Sequence, residues 1–259
     1  ASEAPVLPEA VLRQYLKGRV SLSQRTPKAL REARERFSRV VEAAPDYAPA
    51  WASLAETDML LAHYGAEPVA AAVRRSRRHV DRALSLDPDL PMALAQRAAL
   101  AFFFDRDFEG ARAQVTRALE LQPSYILALL TRANVNTVMG RFDDALGWID
   151  QALSVDPLDL GIHMNRGDHL ILHRRFSEAV TQLDAILARA PGHEPSRLRL
   201  AWALALDGRG AEARAALAQA SGAAAALEEY GALVAGAAED MEAAAACYRK
   251  LRNLAGDLY

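Results

Sequence analysis

The sequence predicts an all-α fold in which helix-turn-helix units stack into a right-handed superhelix, an α-solenoid. Proline recurs at a fixed interval, since Pro123, Pro157 and Pro191 are spaced 34 residues apart. Alanine and leucine dominate and runs of β-branched residues are nearly absent, which favours helix over strand. Because a solenoid grows by adding units that contact only their neighbours, we expect one elongated domain of about six repeats plus a terminal cap.

The predicted domain spans residues 9–254 and follows a loose leader at residues 1–8. Its first repeat, residues 9–46, is degenerate, and an apolar stripe from Ala10 to Arg19 indicates its first helix. The second helix is predicted from Pro27 to Ala43, because proline suits a first helical turn, where its missing N–H costs nothing.

The second repeat, residues 47–88, is extended relative to the others. Gly65 and Pro68 interrupt its helical pattern, so we expect the extra residues to lie in the turn between its two helices. The remainder divides into regular repeats at residues 89–221 and a capping pair of helices at residues 222–254.

The fourth repeat shows the pattern without interruption, and the same kinds of residue return at matching offsets before and after it. At this period, the landmark residues resemble the tetratricopeptide repeat family, over nearly the whole chain. The resemblance implies a scaffold that binds a protein or peptide in its concave groove, which the first helix of each hairpin lines. The landmarks are Leu129, Ala133, Phe142, Ala145, Ala152 and Pro157.

A narrower resemblance rests on four segments. Through these segments the chain is similar to the carboxy-terminal repeat region of certain bacterial transcriptional regulators. The amino-terminal part of those regulators is a winged-helix domain of the response-regulator type. This implies a sensory or interaction region of a larger chain, in some members tethered through a preceding membrane span. The alternatives are a free-standing assembly adaptor and a small-molecule receptor domain. The segments are Tyr15–Arg19, Arg25–Leu30, Leu61–Gly65 and Phe104–Ala111.

Composition sets limits on the partners. The 31 Lys and Arg residues nearly balance the 33 Asp and Glu residues, giving a formal charge of −2, so nothing overall attracts nucleic acid and we expect none to bind directly. No apolar run reaches the roughly 20 residues of a membrane-spanning helix. Cys247 is the single cysteine, which excludes an intrachain disulfide. A bacterial cytoplasmic or periplasmic location and a homodimer both stay open.

Register places polar and apolar candidates along the groove. Asn134, Asn165 and Arg199 occupy positions that carry an Asn, an Asn and a basic residue in tetratricopeptide domains that clamp a peptide's terminal carboxylate. Leu130 and Pro195 stand where such a clamp supplies lysines, and Asn is also common at these offsets in the generic repeat. The further groove candidates are Met164, Asp168, Phe103 and Trp202, of which Trp202 is the better aromatic anchor and is equally well explained as a structural residue.

Two charged or titratable clusters have simple interpretations. The basic run from Arg74 to His79 is predicted to be a solvated helix face rather than a nucleic-acid patch, because no aromatic residues interleave with it. His169 and His173 share a helix face and begin a metal-like pattern without a third ligand, so surface or turn-facing histidines are expected. No phosphate loop, nucleophile elbow or paired catalytic residues occur, and we expect neither catalysis, a cofactor nor a metal.

Overall fold

The computed structural model describes residues 7–220 and 224–237, and these residues are helical apart from the turns that join the helices. The all-α fold class of the prediction is confirmed. The predicted Met241–Leu254 helix of the cap, most of the leader and Cys247 lie outside the described residues. Contacts divide the chain into unit 1, residues 1–135, and unit 2, residues 136–259.

The described part of unit 1 consists of three helix hairpins and most of a seventh helix. Within it, each helix from α1 to α5 packs against the next one along the chain, and α1, α3 and α5 also pack side by side. The row of odd-numbered helices is therefore one face of the unit. The helices are α1, Glu9–Ser23; α2, Pro27–Ala43; α3, Ala48–His63; α4, Val69–Leu86; α5, Pro91–Leu100, which continues in a π-helical turn, Ala101–Asp105; α6, Phe108–Leu121; and α7, Ile126–Val138.

Unit 2 repeats this arrangement. Within it, α9 packs against α10 and α11 against α12, while α9, α11 and α13 form its row of odd-numbered helices. Small residues at the crossings, such as Ala145, Ala179 and Ala201, are fully buried and let the helices approach closely. The helices are α8, Phe142–Val155; α9, Leu160–Leu172; α10, Phe176–Arg189; α11, Glu194–Leu206; α12, Gly210–Ala218; and α13, Ala224–Ala237.

Local signals set several helix ends. Thr26 caps α2, where its Oγ1 accepts a hydrogen bond from the Ala29 N–H at 3.3 Å, and Pro27 fills the first turn as predicted. Asp159 caps α9 in the same way, through the Ile162 N–H at 2.9 Å. Gly140 takes a positive φ of 73° in the turn between α7 and α8, a conformation that costs glycine little.

The extended second repeat differs from the prediction in one respect. Its turn, residues 64–68, is only slightly longer than the turn at residues 173–175. The extra residues mainly lengthen the helices, because α3 and α4 have 16 and 18 residues whereas α9 and α10 have 13 and 14. The reason is burial: Leu61, near the end of α3, and Ala72, near the start of α4, are both fully buried, so packing extends both helices.

Candidate functional site

The row of α9, α11 and α13 carries five of the predicted groove residues. Met164, Asn165 and Asp168 lie on α9, and Arg199 and Trp202 lie on α11. All five side chains are partly exposed. We call this surface, with Tyr230 of α13, the unit 2 groove face.

An ion pair joins the first two helices of this face. Arg199 donates from Nε to both carboxylate oxygens of Asp168, at 2.7 Å and 2.9 Å, and from Nη1 to the Pro195 carbonyl at 3.0 Å. Burial raises the pKa of the Asp168 carboxyl, and the charge and hydrogen bonds of Arg199 oppose that rise. The positive charge of Arg199 is thus already matched by a neighbouring carboxylate, which reduces what a second carboxylate would gain there.

An aromatic pair joins the second and third helices. The rings of Trp202 and Tyr230 lie 6.5 Å apart at an interplanar angle of 76°, an edge-to-face arrangement. Burial raises the pKa of the Tyr230 phenol, which therefore stays protonated and able to donate a hydrogen bond near neutral pH. The pair offers a partner a large, partly exposed aromatic surface.

Asn165 adds an unused hydrogen-bond acceptor to the face. Its side-chain oxygen, Oδ1, is buried and has no hydrogen-bond partner among the described residues. Asn165 lies three residues before Asp168, so the two side chains project from the same side of α9. Buried amide oxygens are normally hydrogen-bonded, and this one lacks a donor.

The remaining predicted residues lie in unit 1. Phe103 is 58% exposed in the π-helical turn after α5, with its ring edge-to-face against Phe102 at 5.0 Å. Leu130 and Asn134 are half-buried on α7. Because Asn134 belongs to unit 1 whereas Asn165 and Arg199 belong to unit 2, the three-residue carboxylate clamp stays a prediction.

The histidine pair of unit 2 is more buried than the sequence suggested. His169 is only 1% exposed, so the expectation of surface or turn-facing histidines is wrong for this residue. Hydrogen bonds join Thr137 Oγ1 to His169 Nδ1 at 2.7 Å and to His173 Nε2 at 3.1 Å, and His173 stacks on Phe142 with ring centroids 4.4 Å apart. Burial, and secondarily the charge of His173, lowers the pKa of His169 from 6.5 to about 4. Within the described ranges, no three potential ligands form a metal cluster.

The basic run on α4 is only partly the solvated face that its sequence predicts. Arg74 and Arg78 are exposed as predicted, but Arg75 and His79 turn towards Asp58, a residue of α3 with no exposed surface. Arg77 pairs with Asp105 on the exterior, where its Nη1 and Nη2 donate to the two carboxylate oxygens at 2.8 Å and 2.5 Å. Arg75 and His79 lie beside Asp58 because a buried carboxylate without a cationic partner would cost much free energy.

Asp58 and Glu67 form an ion network with two arginines. Asp58 Oδ1 lies 3.0 Å from Arg75 Nε and 3.6 Å from Arg34 Nη1. Glu67 Oε1 lies 2.6 Å from Arg34 Nη1, and its Oε2 accepts from Arg75 Nη2. His79 Nδ1 lies 3.0 Å from Asp58 Oδ2, but the two atoms are poorly aligned, and neither has a hydrogen-bond partner among the described residues.

A cavity of about 540 Å³ opens beside this network. It lies between α2, α3, α4 and the turn at residues 64–68. The cavity was not predicted from the sequence, although Asp58, an aspartate within the apolar stretch of α3 and four residues after Leu54, was an available signal. The lining residues are Arg34, Ser38, Leu54, Asp58, Glu67, Pro68, Arg75 and His79.

Stacked helix hairpins that present a row of first helices define the class of helical-repeat scaffolds. Comparison with protein families gives the same class. Two family models of the tetratricopeptide repeat match residues 97–159, 130–194 and 170–237, which together cover more than half of the chain. The chain belongs to the tetratricopeptide repeat family, a family of protein-interaction scaffolds. None of the described helices combines the length and apolar character needed to cross a membrane.

Solved structures show the same fold. A tetratricopeptide repeat protein from Parabacteroides merdae is similar with a TM-score of 0.62 and 16% identity, over 95% of this chain and 93% of that one. TTC0263, a thermophilic TPR protein from Thermus thermophilus, has a TM-score of 0.59 and 20% identity, over 74% and 98%. Human IFIT1, as a dimer with m7Gppp-AAAA, has a TM-score of 0.71 and 17% identity, over 92% and 59%. Among curated proteins, no sequence matches significantly.

Proposed function

We propose that the unit 2 groove face holds an extended segment of a protein partner. The observation that carries this proposal is the arrangement of complementary groups along one row of helices. Asp168 pairs with Arg199 between α9 and α11, and Trp202 meets Tyr230 between α11 and α13. An ion pair beside an aromatic surface provides both orientation by hydrogen bonds and a large apolar contact area.

The charges of the unit 2 groove face favour binding of an internal segment of the partner over binding of its free carboxy terminus. Arg199 is neutralised by Asp168, so a terminal carboxylate gains little attraction, and no lysine stands at Leu130 or Pro195 to add to it. Rotation of the Asn165 side chain would turn its buried, unpaired Oδ1 outward, where it accepts a hydrogen bond from a backbone N–H of the bound segment. A large apolar side chain of that segment packs against Trp202.

Selection from a random peptide library tests this proposal. Peptides that bind the wild-type chain are remade with free and with amidated carboxy termini, and their affinities are measured by calorimetry. We expect equal affinity for both forms and a loss of at least about tenfold in the Trp202→Ala variant. Arg209→Ala is the control, because Arg209 lies outside the face and pairs with Glu212 on the exposed side of α12.

Two results would contradict the proposal. Affinity that disappears on amidation favours the carboxylate clamp of Asn134, Asn165 and Arg199 instead. Affinity that Trp202→Ala leaves unchanged places the bound peptide elsewhere on the scaffold.

At the level of biology, we propose that this scaffold is the sensory or interaction region of a bacterial transcriptional regulator. The support is the narrower sequence resemblance, and a signal would pass when a bound partner changes the contacts of the repeats. The test is the sequence encoded before Ala1. A winged helix or a single membrane span there supports the regulator, whereas a cleavable signal peptide directly before Ala1 supports the alternative of a free-standing adaptor.

A homodimer is compatible with either role. Sedimentation equilibrium of the chain alone and with a selected peptide determines whether one or two copies are present. A mass that doubles on peptide binding would support signalling through the oligomeric state, because ligand binding and self-association would then be linked.

A further inference from the structure

We infer that the cavity beside Asp58 in unit 1 binds a small hydroxycarboxylate. The inference is independent of the function proposed for the unit 2 groove face. Two features of the cavity support it. Arg34 and Arg75 already hold a carboxylate, and a buried oxygen of Asp58 lacks a hydrogen-bond donor. Both features follow from the contacts around the cavity.

The arginine pair recognises a carboxylate. Glu67 places one oxygen against Arg34 of α2, at 2.6 Å, and the other against Arg75 of α4. This arrangement is that of a bound anion held between two guanidinium groups. Without Glu67, Arg34 and Arg75 would have only the single carboxylate of Asp58 beside them. The two arginines would therefore still attract one more anion.

Glu67 is the replaceable member of the network. It comes from the turn at residues 64–68 and its side chain is 18% exposed, whereas Asp58 is fixed in the middle of α3 with no exposed surface. A turn can move without disturbing helix packing more easily than a buried helical residue can. We therefore treat Glu67 as a built-in ligand that a dissolved carboxylate displaces.

The second feature is the unsatisfied oxygen of Asp58. Oδ2 is buried, has no hydrogen-bond partner among the described residues, and belongs to a side chain that lines the cavity. His79 Nδ1 is 3.0 Å away but misaligned, so it does not supply the missing hydrogen bond. Leaving such an oxygen unpaired is costly, and a donor that reaches it once Glu67 has moved aside removes the cost.

A hydroxyl group is the donor that fits this position. An ammonium group would lie close to Arg34 and Arg75 and be repelled by them, whereas a hydroxyl donates to Asp58 without adding charge. A ligand that has both a carboxylate and a hydroxyl group makes one contact that Glu67 cannot make, the hydrogen bond to Asp58. This extra contact lets the ligand compete with Glu67. The cavity volume of about 540 Å³ exceeds that of a small acid, and Leu54 and Pro68 provide apolar contact for its carbon chain.

Calorimetric titration with malate and succinate tests the inference, because these two acids differ by one hydroxyl group. We expect malate to bind the wild-type chain about tenfold more tightly than succinate. Glu67→Gln removes the competing carboxylate, so both acids should bind that variant about tenfold more tightly, with the preference for malate kept. Glu212→Gln, an exposed glutamate of unit 2, is the matched control and should leave both affinities unchanged.

The double variant with Glu67→Gln and Arg75→Gln should lose the gain in affinity, which assigns binding to the arginine pair. Circular dichroism confirms that each variant is folded before titration. Equal affinities for malate and succinate, or no binding of malate to either the wild-type chain or Glu67→Gln, would overturn the inference. Neither result bears on peptide binding at the unit 2 groove face, which the Trp202→Ala variant tests separately.

Discussion

Buried His169 makes the stability of this protein depend on pH in a direction that the structure determines. Its imidazole is 1% exposed and its pKa falls from 6.5 to about 4 on folding, mainly through burial. Between these two values the unfolded chain binds the proton more readily than the folded chain does. The stabilising contribution is therefore present above the unfolded pKa and is lost as the pH falls towards the folded one.

The size of the effect follows from the same two pKa values. Lowering the pH from about 7 to about 5 should reduce the free energy of unfolding by about 2 kcal/mol through His169 alone. His173 adds to the change with the same sign, because burial and then the charge of Arg175 lower its pKa, against the opposing charge of Asp143.

The His169→Gln variant isolates this contribution. Denaturant unfolding followed by circular dichroism at several pH values gives the free energy of unfolding for the variant and the wild type. We expect the variant to be less stable at neutral pH but to lose about 2 kcal/mol less than the wild type on acidification. His163→Gln, on the same helix, is the control for loss of a histidine. Parallel pH curves for His169→Gln and the wild type would refute the reasoning.

Three further predictions concern stability. Gly18→Ala should destabilise the fold by about 1–3 kcal/mol, because the new Cβ would lie 2.6 Å from the Phe37 ring, whereas Gly147→Ala, with open space around it, should stabilise it by about 0.5–1 kcal/mol. Asp58→Ala should cost about 2–3 kcal/mol, because Arg75 loses its charged hydrogen bond to a buried carboxylate, although Glu67 still pairs with Arg34 and Arg75. Asp46→Ala, at a carboxylate 78% exposed, should cost under about 1 kcal/mol. Thermal and denaturant unfolding measure all four variants, and equal costs at Asp58 and Asp46 would contradict the network's burial.

Much of the helical architecture could be predicted from local patterns. The second helix was expected from Pro27 to Ala43 and has those ends in the structure, because a capping threonine, a first-turn proline and an apolar stripe all agree there. Met164, Asp168, Arg199 and Trp202 were placed on the groove by register alone, and the structure brings two of them together as an ion pair. Whether these residues bind a partner stays a prediction.

The misplaced residues have a common physical cause. The run from Arg74 to His79 was interpreted from its own helix, as a solvated face, and that view could not include Asp58 on the facing helix. The expected surface position of His169 was wrong for the same reason, since its hydrogen-bond partner Thr137 lies 32 residues earlier in the chain, on another helix. Charge and burial at these positions depend on contacts between helices, which helix periodicity does not encode.

The helical class, the repeat length and the ends of several helices could be predicted from sequence, because capping, proline placement and apolar periodicity act within one or two turns of chain. The pairing of charges, the burial of His169 and the position of the cavity emerge only when the helices pack together. Those outcomes depend on which side chains from separate helices meet out of water, where pairing and desolvation carry much larger free energies than on an exposed helix face.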